Sequence, residues 1–309
     1  MKTKVWIALF ALYIVWGSTY LAIRFAVETI PPFMTAGLRF LIAGLILLAW
    51  RRLAGDSLPT PNQWKSAAVI GTLLLLGGNG LVSFAEQRIA SGIAALIVGT
   101  VPLWMVLIEA FRPGGVRPGL RTLGGLVVGF AGIYLLIGPS SLKGGLQFDL
   151  VGTLALLAAS FFWSLGSIYS RSADVPESTL MMTGSEMLMG SLALFIVSGF
   201  TGEWHSFSLA AVDARSWLGL AYLIIFGSLI GFVSYGWLLH NAPVSRVATY
   251  AYVNPLVAVF VGALFAGESL TARILLASAI IIASVVFINT AHVRKAPEPG
   301  PAAEPLPGD

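Results

Sequence analysis

Ten apolar runs of about twenty residues each, separated by short polar joints, leave this chain few folds to choose from. They lie near 5–24, 32–50, 66–85, 89–110, 120–138, 150–170, 179–200, 216–239, 245–266 and 272–291. In lipid only helices or closed barrels satisfy every backbone polar group. Runs this long do not alternate as barrel strands do, so the expectation is an all-α membrane protein with ten transmembrane helices. The chain is 57% hydrophobic and 10% charged, where a soluble domain carries about 25% charged residues. Its mean hydropathy is +0.87.

The joints are too short for a soluble domain. The start, "MKTKVWIALFALYIVWGSTYLAIRF", is basic like a signal peptide, but its apolar run is too long and lacks a small-x-small cleavage site. It reads as a first membrane helix. The Pro-rich tail 296–309 cannot build a core and is expected to be disordered. With no cysteine, disulfides, thiolate chemistry and Cys-ligated metals are excluded, and no other metal or cofactor motif is present.

Ten spans bring both termini to one side. Twelve of the 18 Lys and Arg residues fall on that side and five on the other, with Arg39 inside a span. The positive-inside rule then puts both termini in the cytoplasm. The net charge of +4 reflects this placement and gives no reason to expect a nucleic-acid partner. The partners expected are membrane lipid and a small solute. No obligate protein partner is indicated, and a monomer suffices.

The two halves resemble each other. Trp16 and Arg24 in "VWGSTYLAIR" match Trp163 and Arg171 in "FWSLGSIYSR", both at an offset of 147 residues. At the same offset Gly37 meets Gly184 and Arg39 meets Glu186; "GLVSF" (80–84) meets "GFVSY" (231–235) at an offset of 151, and Pro102 meets Pro255 at 153. Four matches in one order indicate an internal repeat. A unit of five spans is odd, so two copies cross the membrane in opposite senses, as many transporters do. The expected organisation is a first five-helix repeat at 1–147, an inverted second repeat at 148–295, and the tail.

Pro102 and Pro255 stand roughly midway along corresponding spans. Each lacks an N–H, which frees the carbonyl of Val98 or Ala251. Paired interruptions of this kind point to a transport site, although each proline also fits a plain packing kink. Tyr13, Trp16 and Tyr20 share one helix face, as do Ser160, Trp163 and Ser167. Asn79 and Ser83 are neighbours on the third span, Tyr250 and Asn254 on the ninth, and Thr100 is close to Pro102. The residues expected to touch solute are Tyr20, Asn79, Ser83, Thr100, Trp163, Tyr250, Tyr252 and Asn254. Aromatic faces would hold an apolar part or an ammonium, and neutral donors and acceptors the polar part.

Arg39 and Glu186 are the ionisable residues deepest in the spans. An intramembrane charge needs a partner or water, so the expectation is that these two pair across the repeat interface as a gate, a coupling site or a structural lock. Glu86, Gln87, Glu109 and Glu268 lie near span ends, where solvation is expected. Gly125 and Gly129 form a GxxxG spacing that favours close helix approach.

The segments "YIVWGSTYLAIR", "RFLIAGLILL", "AALIVGTVPLW" and "TYAYVNPLVAVFVGALFAGESLT" resemble the drug/metabolite transporter superfamily, in particular its EamA family, across residues 5–291. The resemblance implies a bacterial inner-membrane exporter of amino acids or related metabolites. It implies ten helices in two repeats, with a central cavity lined mainly by spans 1, 3, 4, 6, 8 and 9 and worked by alternating access. The family often carries a Glu after the ninth span, here Glu268, and a related acid in the first half. Here the first-half loop reads "FRPGGVRPG" and lacks that acid.

A multidrug or toxic-compound exporter of the same fold and a channel-like facilitator are the alternatives. An intramembrane enzyme is disfavoured: no Asp lies in a span, neither H-E-x-x-H nor G-x-S-x-G occurs, and His205, His240 and His292 sit at or beyond span ends.

Overall fold

The structure is a computed structural model that describes residues 2–112, 118–137, 149–242 and 249–292. Among these residues it is entirely helical. Seven helices are long and apolar enough to cross a membrane: Thr3–Ala26, Pro32–Leu53, Pro61–Glu86, Ser91–Phe111, Leu150–Ser170, Thr179–Phe200 and Ala214–Tyr235. Three more apolar helices are shorter: Leu120–Leu136, Val253–Ala266 and Ala272–Phe287. In chain order the ten are α1 to α10, with α1 as Lys2–Ala26, α5 as Leu120–Ile137, α8 as 214–241, α9 as Tyr250–Ala266 and α10 as Ala272–His292. The expected repeat boundary at 147/148, the tail 296–309 and the ninth span's first residues, 245–248, lie outside the described residues.

Local chemistry sets the ends. Thr60 caps α3 in a capping box with Gln63, and Pro61 follows at the first helical position, so this helix starts five residues before its apolar run. Asp149, Ser178 and Asp213 cap α6, α7 and α8 through their side chains. Lipid-facing Leu, Ile and Phe are exposed along the outside, for example Phe10, Leu264 and Phe265.

Small residues bring helices close. A Cβ on Gly71 of α3 would lie 2.7 Å from Gly190 N of α7, and one on Gly129 of α5 would lie 2.7 Å from both Leu103 Cδ1 and Ser284 Oγ. The close approach expected at Gly129 is thus present. Core clusters fill the seams, the largest around Ile97, Leu156 and Leu223.

Two helices are locally underwound into π-helix: Thr72–Gly80 in α3 and Leu223–Ile230 in α8. Their starts are 151 residues apart, the offset that relates "GLVSF" to "GFVSY". Such segments free main-chain groups and occur often at functional sites. Here Trp16 Nε1 donates to the Gly227 carbonyl at 3.2 Å, and Asn79 Nδ2 donates to the Leu74 carbonyl at 3.3 Å.

The prolines behave unequally. Pro255 sits inside the continuous helix α9. The Pro102 helix is divided: Ser91–Val98 ends, Gly99 and Thr100 form a break, and Val101–Phe111 restarts with Pro102 in its first turn. Pro102 therefore starts a second helix instead of kinking one. Two serines of α6 compensate the break, Ser160 donating to the Ile97 carbonyl at 3.4 Å and Ser164 to the Val101 carbonyl at 3.0 Å.

A cavity between the helices and a clasped end

A cavity of about 510 Å³ runs between α1, α2, α3, α4, α6, α8 and α9. Of the residues expected to touch solute, Tyr20, Asn79, Trp163, Tyr250 and Asn254 line it, with Pro102 and Pro255. Trp16, Phe232 and Tyr235 join them. Trp16 packs against Phe232, Tyr235 and Tyr250 at ring-centroid distances of 5.4, 5.3 and 5.2 Å. The ring of Trp163 lies over Gly78, where a Cβ would come within 2.9 Å of Cε3. Asn254 stands between two carbonyls, so its amide nitrogen faces them and donates to Tyr250 O at 3.2 Å and Tyr13 O at 3.3 Å.

Several expectations need correction. Thr100 is fully buried behind the wall, and its hydroxyl donates to the Ile97 carbonyl of the broken turn. Ser83 is 2% exposed and does not line the cavity. At Thr100 a short hydroxyl side chain serves its own helix before it reaches a solute. The Tyr252 side chain lies outside the described residues.

Arg39 and Glu186 do not pair. Arg39 Nε donates to Ser228 Oγ at 2.8 Å, and among the described residues it has no ion pair. Arg39 lines the cavity, while Glu186 is buried outside it with Oε1 unpartnered. A shared depth in matched helices did not mean a shared contact.

The span-end carboxylates are also not simply solvated. Glu109 lines the cavity, as does exposed Arg171. These two mark where the cavity meets the surface. Glu86 is 1% exposed, with neither carboxylate oxygen hydrogen-bonded; Arg24 and Glu268 are the nearby charges.

Glu268 belongs to a clasp at the opposite end. Gly267 closes α9 in the left-handed conformation at φ +64° and turns Glu268 toward α4. There the Ser91 N–H and hydroxyl donate to Oε1 at 2.7 and 2.8 Å, and the Gly92 N–H donates to Oε2 at 3.0 Å. Arg24 Nε lies 3.8 Å from the same carboxylate, and Arg24 Nη1 donates to the Ile89 carbonyl at 3.1 Å.

Glu203 does the same for α2, accepting from Phe33 N at 3.2 Å, Met34 N at 2.9 Å and Ser198 Oγ at 2.8 Å. Both carboxylates meet the positive end of a helix dipole and satisfy N–H groups that nothing within the helix could. Arg273 caps the other pole, donating to the Leu135 and Leu136 carbonyls of α5 at 2.8 and 2.6 Å.

The sequence carried weak signals for what was missed. Trp16 shares the face of Tyr20, and Tyr235 ends the repeated "GFVSY". A Glu just after a Gly that closes a helix is a capping signal for a neighbour, but nothing local names that neighbour.

Residues 3–138 and 150–290 match the EamA-like transporter family. An uncharacterised inner membrane transporter of Escherichia coli, YedA, is 41% identical over 285 residues, covering 91% of this chain and 89% of that protein. A probable amino-acid metabolite efflux pump of Escherichia coli is 26% identical over 298 residues, covering 91% of this chain and 93% of its own length. A solved crystal structure shares the fold with a TM-score of 0.65 at 23% identity, covering 94% of this chain and 98% of that one.

Proposed function

The chain belongs to the EamA-like transporter family, and from that premise we propose that it is a multi-pass bacterial inner-membrane transporter exporting amino acids or related small metabolites. The observation that carries this reading is the 510 Å³ cavity. Its volume falls in the range of about 300–1,000 Å³ typical of small-molecule sites. Its wall combines aromatic faces from Trp16, Tyr20, Trp163 and Tyr250 with the amides of Asn79 and Asn254. That mixture suits an amphipathic solute better than a bare ion.

In this reading ten spans form two inverted five-helix repeats, with both termini cytoplasmic by the distribution of Lys and Arg. The clasped end is then periplasmic, and the cavity faces the cytoplasm. Transport proceeds by alternating access: the clasp opens, the mouth near Arg171 and Glu109 closes, and the solute leaves outward.

Counterflow of labelled amino acids in proteoliposomes tests the proposal. Saturable counterflow that falls in Trp163→Ala and Asn254→Ala is expected. Unaltered transport in both variants removes them from the site. Unsaturable conductance without counterflow replaces the carrier with a channel, and transport of apolar cations with no amino-acid flux replaces the solute class with drugs.

A further inference from the structure

Among the described residues, one cation in the cavity wall has no anion of the protein opposite it. Arg39 lies in the interior of α2, is 4% exposed and lines the cavity. Its contacts are neutral: Nε donates to Ser228 Oγ at 2.8 Å, and the guanidinium carbon stands 4.7 Å from the Phe40 ring. A guanidinium does not shed its proton under ordinary conditions, and a buried unpaired charge is strongly unfavourable. Among the described residues the fold thus supplies Arg39 no counterion.

Arg39 borders the cavity of about 510 Å³, whose volume can hold one. Gly227 brings α8 against the arginine: a Cβ there would fall 2.9 Å from Nη2. The same glycine's carbonyl receives Trp16 Nε1, so an indole adjoins the guanidinium site. Ser228 engages only one of the five guanidinium donors. The remaining fork is the geometry that takes a carboxylate with two parallel hydrogen bonds. The other charged residues of the wall are Glu109 and Arg171, so the lining carries two positive groups and one negative.

We propose that Arg39 is the anion-binding residue of the cavity and that the solute it selects carries a carboxylate, held beside Ser228 with its apolar part on the Trp16–Tyr250 aromatic cluster. This deepens the transport reading and rests on it for the solute's passage, but the binding step can be measured without transport.

The full chain in detergent is titrated with a panel of amino acids and their carboxamides, binding being read by thermal shift and tryptophan fluorescence. The same pairs then compete in proteoliposome counterflow. The wild type is expected to bind the acid roughly tenfold or more tighter than its amide, as for a charge-assisted hydrogen bond. Arg39→Gln should bring that ratio close to one. Arg39→Lys should retain part of it, and Ser228→Ala should lower it while leaving the fold intact.

Equal binding of acid and amide by the wild type, a ratio preserved in Arg39→Gln, or no binding by any carboxylate of the panel overturns the proposal. If Arg39→Gln does not fold, the Arg39→Lys and Ser228→Ala ratios decide it: unchanged ratios in both overturn it. Acid-selective binding with no counterflow supports the Arg39 assignment and defeats the transport reading instead.

Discussion

The two ends of the helix bundle are held by different means. At one end Glu268 and Glu203 reach from the close of one helix to the start of another and satisfy four backbone N–H groups between them. Arg24 and Arg273 tie further carbonyls there. At the other end the cavity wall includes exposed Arg171, and the polar links are lighter: Arg51 to Asp56 at 2.8 Å and Gln63 to Asp174 at 3.4 Å. The difference teaches how firmly each end is tied. One end is tied by main-chain hydrogen bonds to side-chain oxygens, which have no local substitute, and the other, among the described residues, by side-chain pairs nearer the solvent.

The sharpest way to break this contrast is Glu268→Ala. It strips two N–H groups and Arg24 of their acceptor in a largely buried place. A loss of about 2–4 kcal/mol is expected, since hydrogen bonds to a charged group contribute about 1.5–3 kcal/mol each and are not additive. Thermal unfolding in detergent measures it, and an unchanged midpoint would mean the clasp holds nothing.

Glu203→Gln should cost less, about 1–2 kcal/mol, because one amide oxygen still accepts where two carboxylate oxygens did. The same thermal assay reads it, and a loss equal to that of Glu268→Ala would erase the difference between the two caps.

Gly231→Ala works on the wall between the ends. Its Cβ would fall 2.2 Å from Trp16 Nε1 and must displace the indole from the Gly227 carbonyl. A modest stability loss of about 1 kcal/mol, as for mild overpacking, is expected together with a clear fall in solute binding by fluorescence. Unchanged binding would separate Trp16 from the site.

Asp56→Asn should be the smallest, since a solvent-screened ion pair contributes little to stability. Hydrogen bonds from Arg51 and then Ser178 hold the Asp56 carboxyl below the usual carboxylate range. A lowered value gives a contribution that is present above the unfolded value and lost as the pH falls through the folded one. The difference between wild type and Asp56→Asn should therefore vanish in acid. A difference that grew with falling pH would reverse the sign.

The helices were legible in the sequence because each apolar run is set by the thickness of lipid, and most bounds came within a few residues. The cavity wall was legible in part, since Trp163, Tyr250 and Asn254 stand at helical spacing on polar-bearing faces. What escaped reading was contact between distant segments. Arg39 and Glu186 are matched in depth, yet α8 supplies Ser228 to the arginine first. Glu268 looked like a solvated end until the fold placed Ser91 under it. Thr100 looked like a wall residue until the break at Gly99 claimed its hydroxyl.

The underwound stretches at 72–80 and 223–230 also govern where the chain can change length. Removing a residue from a regular helix turns everything beyond it by about 100°, which would carry lipid-facing leucines into the core. A π turn already holds a surplus residue. Deleting one there restores regular helix with both flanks facing as before, and the local offset that carries Asn79 or Ser228 is what disappears. Single-residue deletions inside the membrane are therefore tolerated best at these two places, where they alter the cavity wall and spare how the protein folds.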